Sequence, residues 1–177
     1  MAPISPNVRF LAAKDPLLHR YGAFAERYFG DDPNTAAGKM RQFAEVLAHS
    51  LARAHGLSFT SADDFFAVLR GLDRNLPAEV SDQLHQLRKH GNRALHDHAD
   101  SHREALALLH VGHRLAGWYH NRYRDPKFTP APFVLPPNPF AATDALKRDL
   151  GAAPAEAAET AAQLAATRGE NSSLERL

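Results

Sequence analysis

What most constrains this chain is the repeat distance between its apolar residues. From Asp15 to Tyr123 they return every three or four positions, the spacing that lines one side of an α-helix, and strand-like alternation is almost absent. Asp15-Pro16, an acidic residue followed by proline at a first-turn position, starts the first face, which Leu17, Leu18, Tyr21, Phe24, Ala25 and Tyr28 compose and Gly30 with Asp31 and Asp32 ends. Asp32-Pro33 repeats the start signal. Met40, Phe43, Ala44, Leu47, Leu51 and Ala54 then run through a long second helix that stops at Gly56. Ser61 as N-cap, with Asp63 and Asp64 in the first turn, precedes a short, largely buried third helix with Phe65, Phe66, Val68, Leu69 and Leu72. Pro77 opens a fourth, with Val80, Leu84, Leu87 and Leu95 inward. A fifth begins near Ser101 and carries Ala105, Leu108, Leu109, Leu115, Trp118 and Tyr119. The pattern predicts an all-α antiparallel bundle of about five helices over residues 1–124.

The character changes after Tyr123. Pro126 to Phe140 holds six prolines in fifteen residues, which rules out both helix and central strand. Residues 125–140 are therefore expected to form an extended strap, pinned to the bundle by Phe128, Phe133, Val134 and Phe140. Residues 141–177 are rich in alanine and poor in large apolar side chains, a flexible or partly helical connector without a core of its own.

At 177 residues, 44% hydrophobic and 23% charged, the chain suits one globular domain. A formal charge of +1 gives no global attraction to nucleic acid or anionic lipid, so any polyanion contact must be a local patch. The absence of cysteine excludes disulfides and thiolate zinc sites, and the sequence shows neither a signal-peptide pattern nor an apolar run long enough to span a bilayer. These features predict a cytoplasmic protein with no membrane contact and no cofactor.

Eight of the eleven histidines lie between His85 and His120, and the densest stretch is RKHGNRALHDH, Arg88 to His98. His98/His102 and His110/His113 have the helical spacing of a shared ligand face, yet no HExxH and no suitably placed carboxylate completes a site, so no metal is expected. A triad of His96, Asp97 and Ser101 fails because neighbouring residues point to different sides of a helix. Acid–base chemistry is better matched. A histidine near neutrality can move a proton at a ribose hydroxyl while an arginine stabilises phosphorane charge. Arg88 lies eight residues before His96, about two turns and so on a similar face, and Arg93 three before it, a geometry that permits a cluster of the three without requiring one. The competing structural role gives Gly91 to close helix packing and Asn92 and His96 to polar ties across the bundle. Lys39, Arg41, Arg53, Lys89, Arg93 and Arg103 offer a third role, a basic face for phosphates.

The runs NTAAGKMRQFAEVLAHSLARAHGL, LHQLRKHGNRALHDH and REALALLHVGHRLAGWYHNRYRDPKFTPAPFVLPP resemble one known domain. It is the helical domain at the N-terminus of many type I restriction enzyme R subunits and related DEAD/DEAH-box helicases, a family related to the HEPN superfamily. The resemblance spans residues 7–139, and its most specific element is Arg88-x-x-Gly91-Asn92-x-Ala94-x-His96. It implies a HEPN-like bundle, often dimeric. Active HEPN ribonucleases carry Arg-x(4–6)-His with a polar residue after the arginine. Matching Asn92 and His96 to that pattern puts Gly91 where the arginine belongs, whereas Arg93 and His98 fit the count but place Ala94 at the polar position. The expectation is a non-catalytic interaction or assembly module of a type I restriction-like or other defence helicase, with a homodimer, restriction-modification or helicase subunits, and DNA or RNA as its partners. The alternatives are a metal-independent ribonuclease using His96 with Arg88 or Arg93, and a nucleic-acid-binding helical domain.

Overall fold

Five helices, α1 (Pro16–Tyr28), α2 (Pro33–Ala54), α3 (Phe65–Leu72), α4 (Ala78–Asp97) and α5 (His102–Tyr123), follow a short 3-10 turn at Arg9–Leu11. The computed structural model describes residues 5–60, 64–97 and 101–136, with the backbone alone at 95–97. The described residues contain helices and no strand, as the apolar spacing predicts. None of those helices is long and apolar enough to cross a membrane.

Local chemistry fixes the helix ends. Asp32 accepts a hydrogen bond from the Thr35 amide at 2.8 Å, and Ser101 accepts one from the Glu104 amide at 3.2 Å, so both satisfy donors that a helix start leaves open. At the end of α2 the Leu57 amide donates to the Ala52 carbonyl and the Gly56 amide to that of Arg53. This closure needs the left-handed φ of 69° that Gly56 adopts. The proposed Ser61 cap lies outside the described residues; α3 begins after Asp64.

Helix α2 packs against the other four helices. Its Phe43, Ala44, Leu47, Ala48 and Leu51 are fully buried, and each large side chain among them contributes about 1.5–3 kcal/mol through removal from water. Leu84 and Leu87 of α4 and Leu108, Leu115 and Tyr119 of α5 complete the core. The side chain of Leu95 lies outside the described residues.

Three expectations about faces are corrected. On α1 the buried side runs through Leu18, Gly22, Ala25 and Glu26, while Leu17 and Tyr28 stay 46% and 36% exposed. Val8 packs onto Gly22 on that inward side. On α3, Phe65, Val68, Leu69 and Leu72 fill the inward side, which leaves Phe66, one residue round the helix, exposed. Val134 is also exposed, and the strap is held there through its backbone instead.

That hold comes from Asn7. Its side-chain amide donates to the Val134 carbonyl at 2.8 Å and its oxygen accepts from the Val134 amide at 2.7 Å, imitating one rung of a β-ladder. Phe128 packs on Phe10 with ring centres 4.6 Å apart, and Phe133 stacks on His110 at 3.8 Å. His113 contacts the Asn7 and Ala131 carbonyl oxygens at 2.9 and 3.0 Å. Phe140 and the tail at 141–177 lie outside the described residues. Asn7→Ala removes both bonds to Val134, at about 1 kcal/mol each. Limited proteolysis of this variant is expected to cut within residues 126–136 while the helices stay protected; unchanged cleavage would show that the rings hold the strap alone.

On α1, Glu26 is 8% exposed and accepts a 2.6 Å hydrogen bond from the Ser5 hydroxyl. Burial pushes its carboxyl above the usual range, against the opposing pull of the Ser5 and Asn7 hydrogen bonds. A raised folded-state value favours folding in acid and is a cost once pH rises through it. Glu26→Gln keeps the acceptor and removes the charge. It is expected to raise stability by about 1 kcal/mol at pH 7 and to match the parent below about pH 4, where both states of the parent are protonated. Thermal melts at the two pH values check this.

Candidate functional site

The motif on α4 faces three different neighbours. Gly91 lies against α2 with no room for a side chain: a Cβ there would sit 2.5 Å from the Arg41 Cβ and 3.1 Å from the Ala37 carbonyl oxygen. Beside this contact the Arg41 Nε donates to the Asn92 Oδ1 at 2.5 Å. The same guanidinium donates to Glu45 at 3.0 Å and lies 5.6 Å from the centre of the Phe65 ring. Gly91 allows the approach, and Asn92 ties the two helices at that point.

Arg88 turns away from this contact. Its guanidinium stacks over the exposed Phe66 ring of α3 at 4.7 Å, and its Nε is buried without a hydrogen-bond partner. Arg70 approaches the same ring at 6.0 Å, and His85 meets it edge-on. His85 in turn contacts Asp73 at 3.2 Å. The Ser81 hydroxyl, donating to Asp73, is the main cause that holds this carboxyl below the usual range, with His85 helping and slight burial opposing.

Arg93 points elsewhere again, pairing with Glu104 of α5 at 2.6 Å and contacting His90 at 3.0 Å. Both of its partners are surface groups, so this pair contributes at most about 1 kcal/mol. The backbone of His96 belongs to α4, and its side chain lies outside the described residues, as do all atoms of His98. The two arginines proposed as partners of His96 are thus engaged on α3 and on α5.

Several of the other candidates also have partners. His102 contacts the Gly30 carbonyl at 3.0 Å, and His110 and His113 both serve the strap. Among the described residues no three histidine, aspartate or glutamate side chains converge. Within the basic set, Lys39 donates to Gln42 at 3.0 Å, Arg41 pairs with Glu45, and Arg93 pairs with Glu104. Lys89 and Arg103 project outward, and Arg53 faces a different surface beside Ser50.

The strongest polar cluster, at the junction of α1 and α5, was missed by motif and spacing. Arg124 donates to both Asp15 oxygens at 2.7 and 2.9 Å, and Tyr119 donates to Asp15 at 3.0 Å. Burial raises the Asp15 carboxyl, but the hydrogen bonds from Arg124 and Tyr119 outweigh it and hold the group below the usual range. The Tyr119 hydroxyl is pushed up to about 12, first by burial and then by the Asp15 charge, so it stays a donor. The partners lie more than a hundred residues apart, and no local spacing signals them. Glu26 did leave a signal: it stands on the Leu18–Gly22–Ala25 side of α1, where a carboxylate needs a buried partner.

Comparison with known proteins yields one relevant likeness. Over 135 residues, 73% of this chain, the sequence is 33% identical to the type I restriction enzyme EcoKI endonuclease subunit of Escherichia coli strain K12. The match spans 11% of that subunit's length. No family model matches the sequence. No solved structure matches the fold.

Proposed function

We propose that this chain is a non-catalytic, HEPN-like assembly module of a type I restriction-like system, working in the cytoplasm. It joins the subunits of that system or a second copy of itself. The likeness to a type I endonuclease subunit supports the association, and Gly91 supports the absence of chemistry. In a ribonuclease of the HEPN superfamily this position would carry the arginine that stabilises the transition state. Here the Arg41 Cβ and the Ala37 carbonyl fill the space where even a methyl would go. The neighbouring arginines spend their guanidinium groups on Phe66 and Glu104, as structural side chains do.

The test mixes the purified chain with the methylase and specificity subunits of a type I system from the same source and measures mass by light scattering after size exclusion. A stoichiometric complex, or a homodimer of the chain alone, is expected. A monomer under both conditions would remove the basis of the proposal.

A further inference from the structure

A hollow of about 570 Å³ opens between the start of α1, the second half of α2 and the residue that ends α5. Its charge is one-sided. Lys14, Arg53 and Arg124 face it against a single carboxylate, Asp15, which Arg124 already neutralises. Among the described residues Lys14 and Arg53 have no carboxylate within salt-bridge distance. Arg53 donates to the Ser50 hydroxyl at 3.3 Å. Two cations in one hollow thus exceed the formal charge of +1 carried by the whole chain. Apolar side chains share the lining with these charges: Leu17, Leu18, Val46 and Ala54 line it beside Ser50, and Leu17 keeps 46% of its surface in water.

These features select the occupant. None of the lining residues is aromatic, so a nucleobase would find only arginine guanidinium faces to stack on. A bare phosphate would use the cations and leave Leu17, Val46 and Ala54 uncovered. Small ligands keep most of their surface inside a pocket, and the exposure of Leu17 shows that this hollow provides no such cover. A larger partner brings its own. We infer that the hollow docks an acidic segment of a partner protein. That segment would set a leucine-sized side chain against Leu17 and Val46 and glutamate or aspartate side chains against Lys14 and Arg53. This deepens the assembly reading, on which it rests, by naming the surface and the chemistry of the partner.

Fluorescence anisotropy tests it with a fluorescein-labelled helical peptide that has leucine at every third or fourth position and glutamate between. The native chain is expected to bind it, with affinity falling as salt rises. The Lys14→Glu/Arg53→Glu double variant is expected to bind about tenfold more weakly, the size of 1.4 kcal/mol. Leu17→Ser is expected to weaken binding as well. All three side chains are exposed and lie outside the Asp15–Arg124 pair, and circular dichroism checks that the fold is kept. Equal binding by the double variant, no binding by the native chain, or tighter binding of a single-stranded oligonucleotide than of the peptide would overturn the inference. The light-scattering test of the native chain with methylase and specificity subunits reports on the assembly reading separately, so either reading can fail alone.

Discussion

Gly91→Val is expected to lower stability by about 3 kcal/mol, a large share of the roughly 5–15 kcal/mol that holds a domain of this size together. Glycine inside a helix ordinarily costs up to about 1 kcal/mol, so a substitution on an open face would be a gain. Here the first added atom meets the Arg41 Cβ, at the base of the side chain and not at its flexible end, and a backbone oxygen of α2. Overpacking of this kind costs about 1–3 kcal/mol, and moving Arg41 also breaks its bond to Asn92, at about 1.5–3 kcal/mol for a charged donor. The loss therefore exceeds the propensity gain. Urea unfolding gives the answer, and an unchanged midpoint would mean that α2 and α4 are not held at this contact.

Asp15→Ala is expected to cost about 2 kcal/mol at pH 7. Removing one partner of a buried ion pair costs about 3–5 kcal/mol, because the other charge is left uncompensated. The Arg124 side chain is 36% exposed against 8% for Asp15, so water partly rescues the orphaned guanidinium and the figure is discounted accordingly. The sign with pH follows from the lowered carboxyl. Its contribution is complete above the unfolded value near 4 and disappears as pH falls through the lower folded value. The parent chain is therefore expected to lose stability below about pH 4 through this group, and Asp15→Asn to lack that part of the acid loss. Thermal melts between pH 2 and 7 separate the two, and parallel curves would show that Asp15 is not the titrating group.

The helices were legible because their signals are local. Asp32 before Pro33 and Ser101 three residues before Glu104 announce starts that the backbone then uses. The spacing of Met40, Phe43, Leu47 and Leu51 identifies the side of α2 that is buried. Side-by-side choices were less legible. Leu17 and Leu18 are equally apolar, yet Leu18 is buried and Leu17 is exposed. Phe66 follows Phe65 in the same way, and its exposed ring becomes the platform for Arg88. Asp15 looked like a helix cap, yet its carboxylate makes no cap bond and serves Arg124 and Tyr119 instead. That choice depends on where the far end of α5 arrives, which no window along the sequence contains.

At the motif, Gly91 and Asn92 were read as packing and polar tie, and the contacts with Ala37 and Arg41 give that reading its atoms. Arg88 and Arg93 stand five residues apart, about 140° round the helix. Each lies within about 80° of His96 on α4, but on opposite flanks, so one reaches α3 and the other α5. A shared helical side is therefore a weak guide to a shared site when long side chains have closer partners.

The central claim is that the Arg88–His96 stretch organises helix packing and performs no chemistry. The most direct measurement incubates purified chain, with its oligomeric mass verified, with single-stranded RNA in EDTA and compares it with His96→Ala. Intact RNA in both samples is the predicted result. Cleavage by the parent chain that disappears in His96→Ala would contradict it.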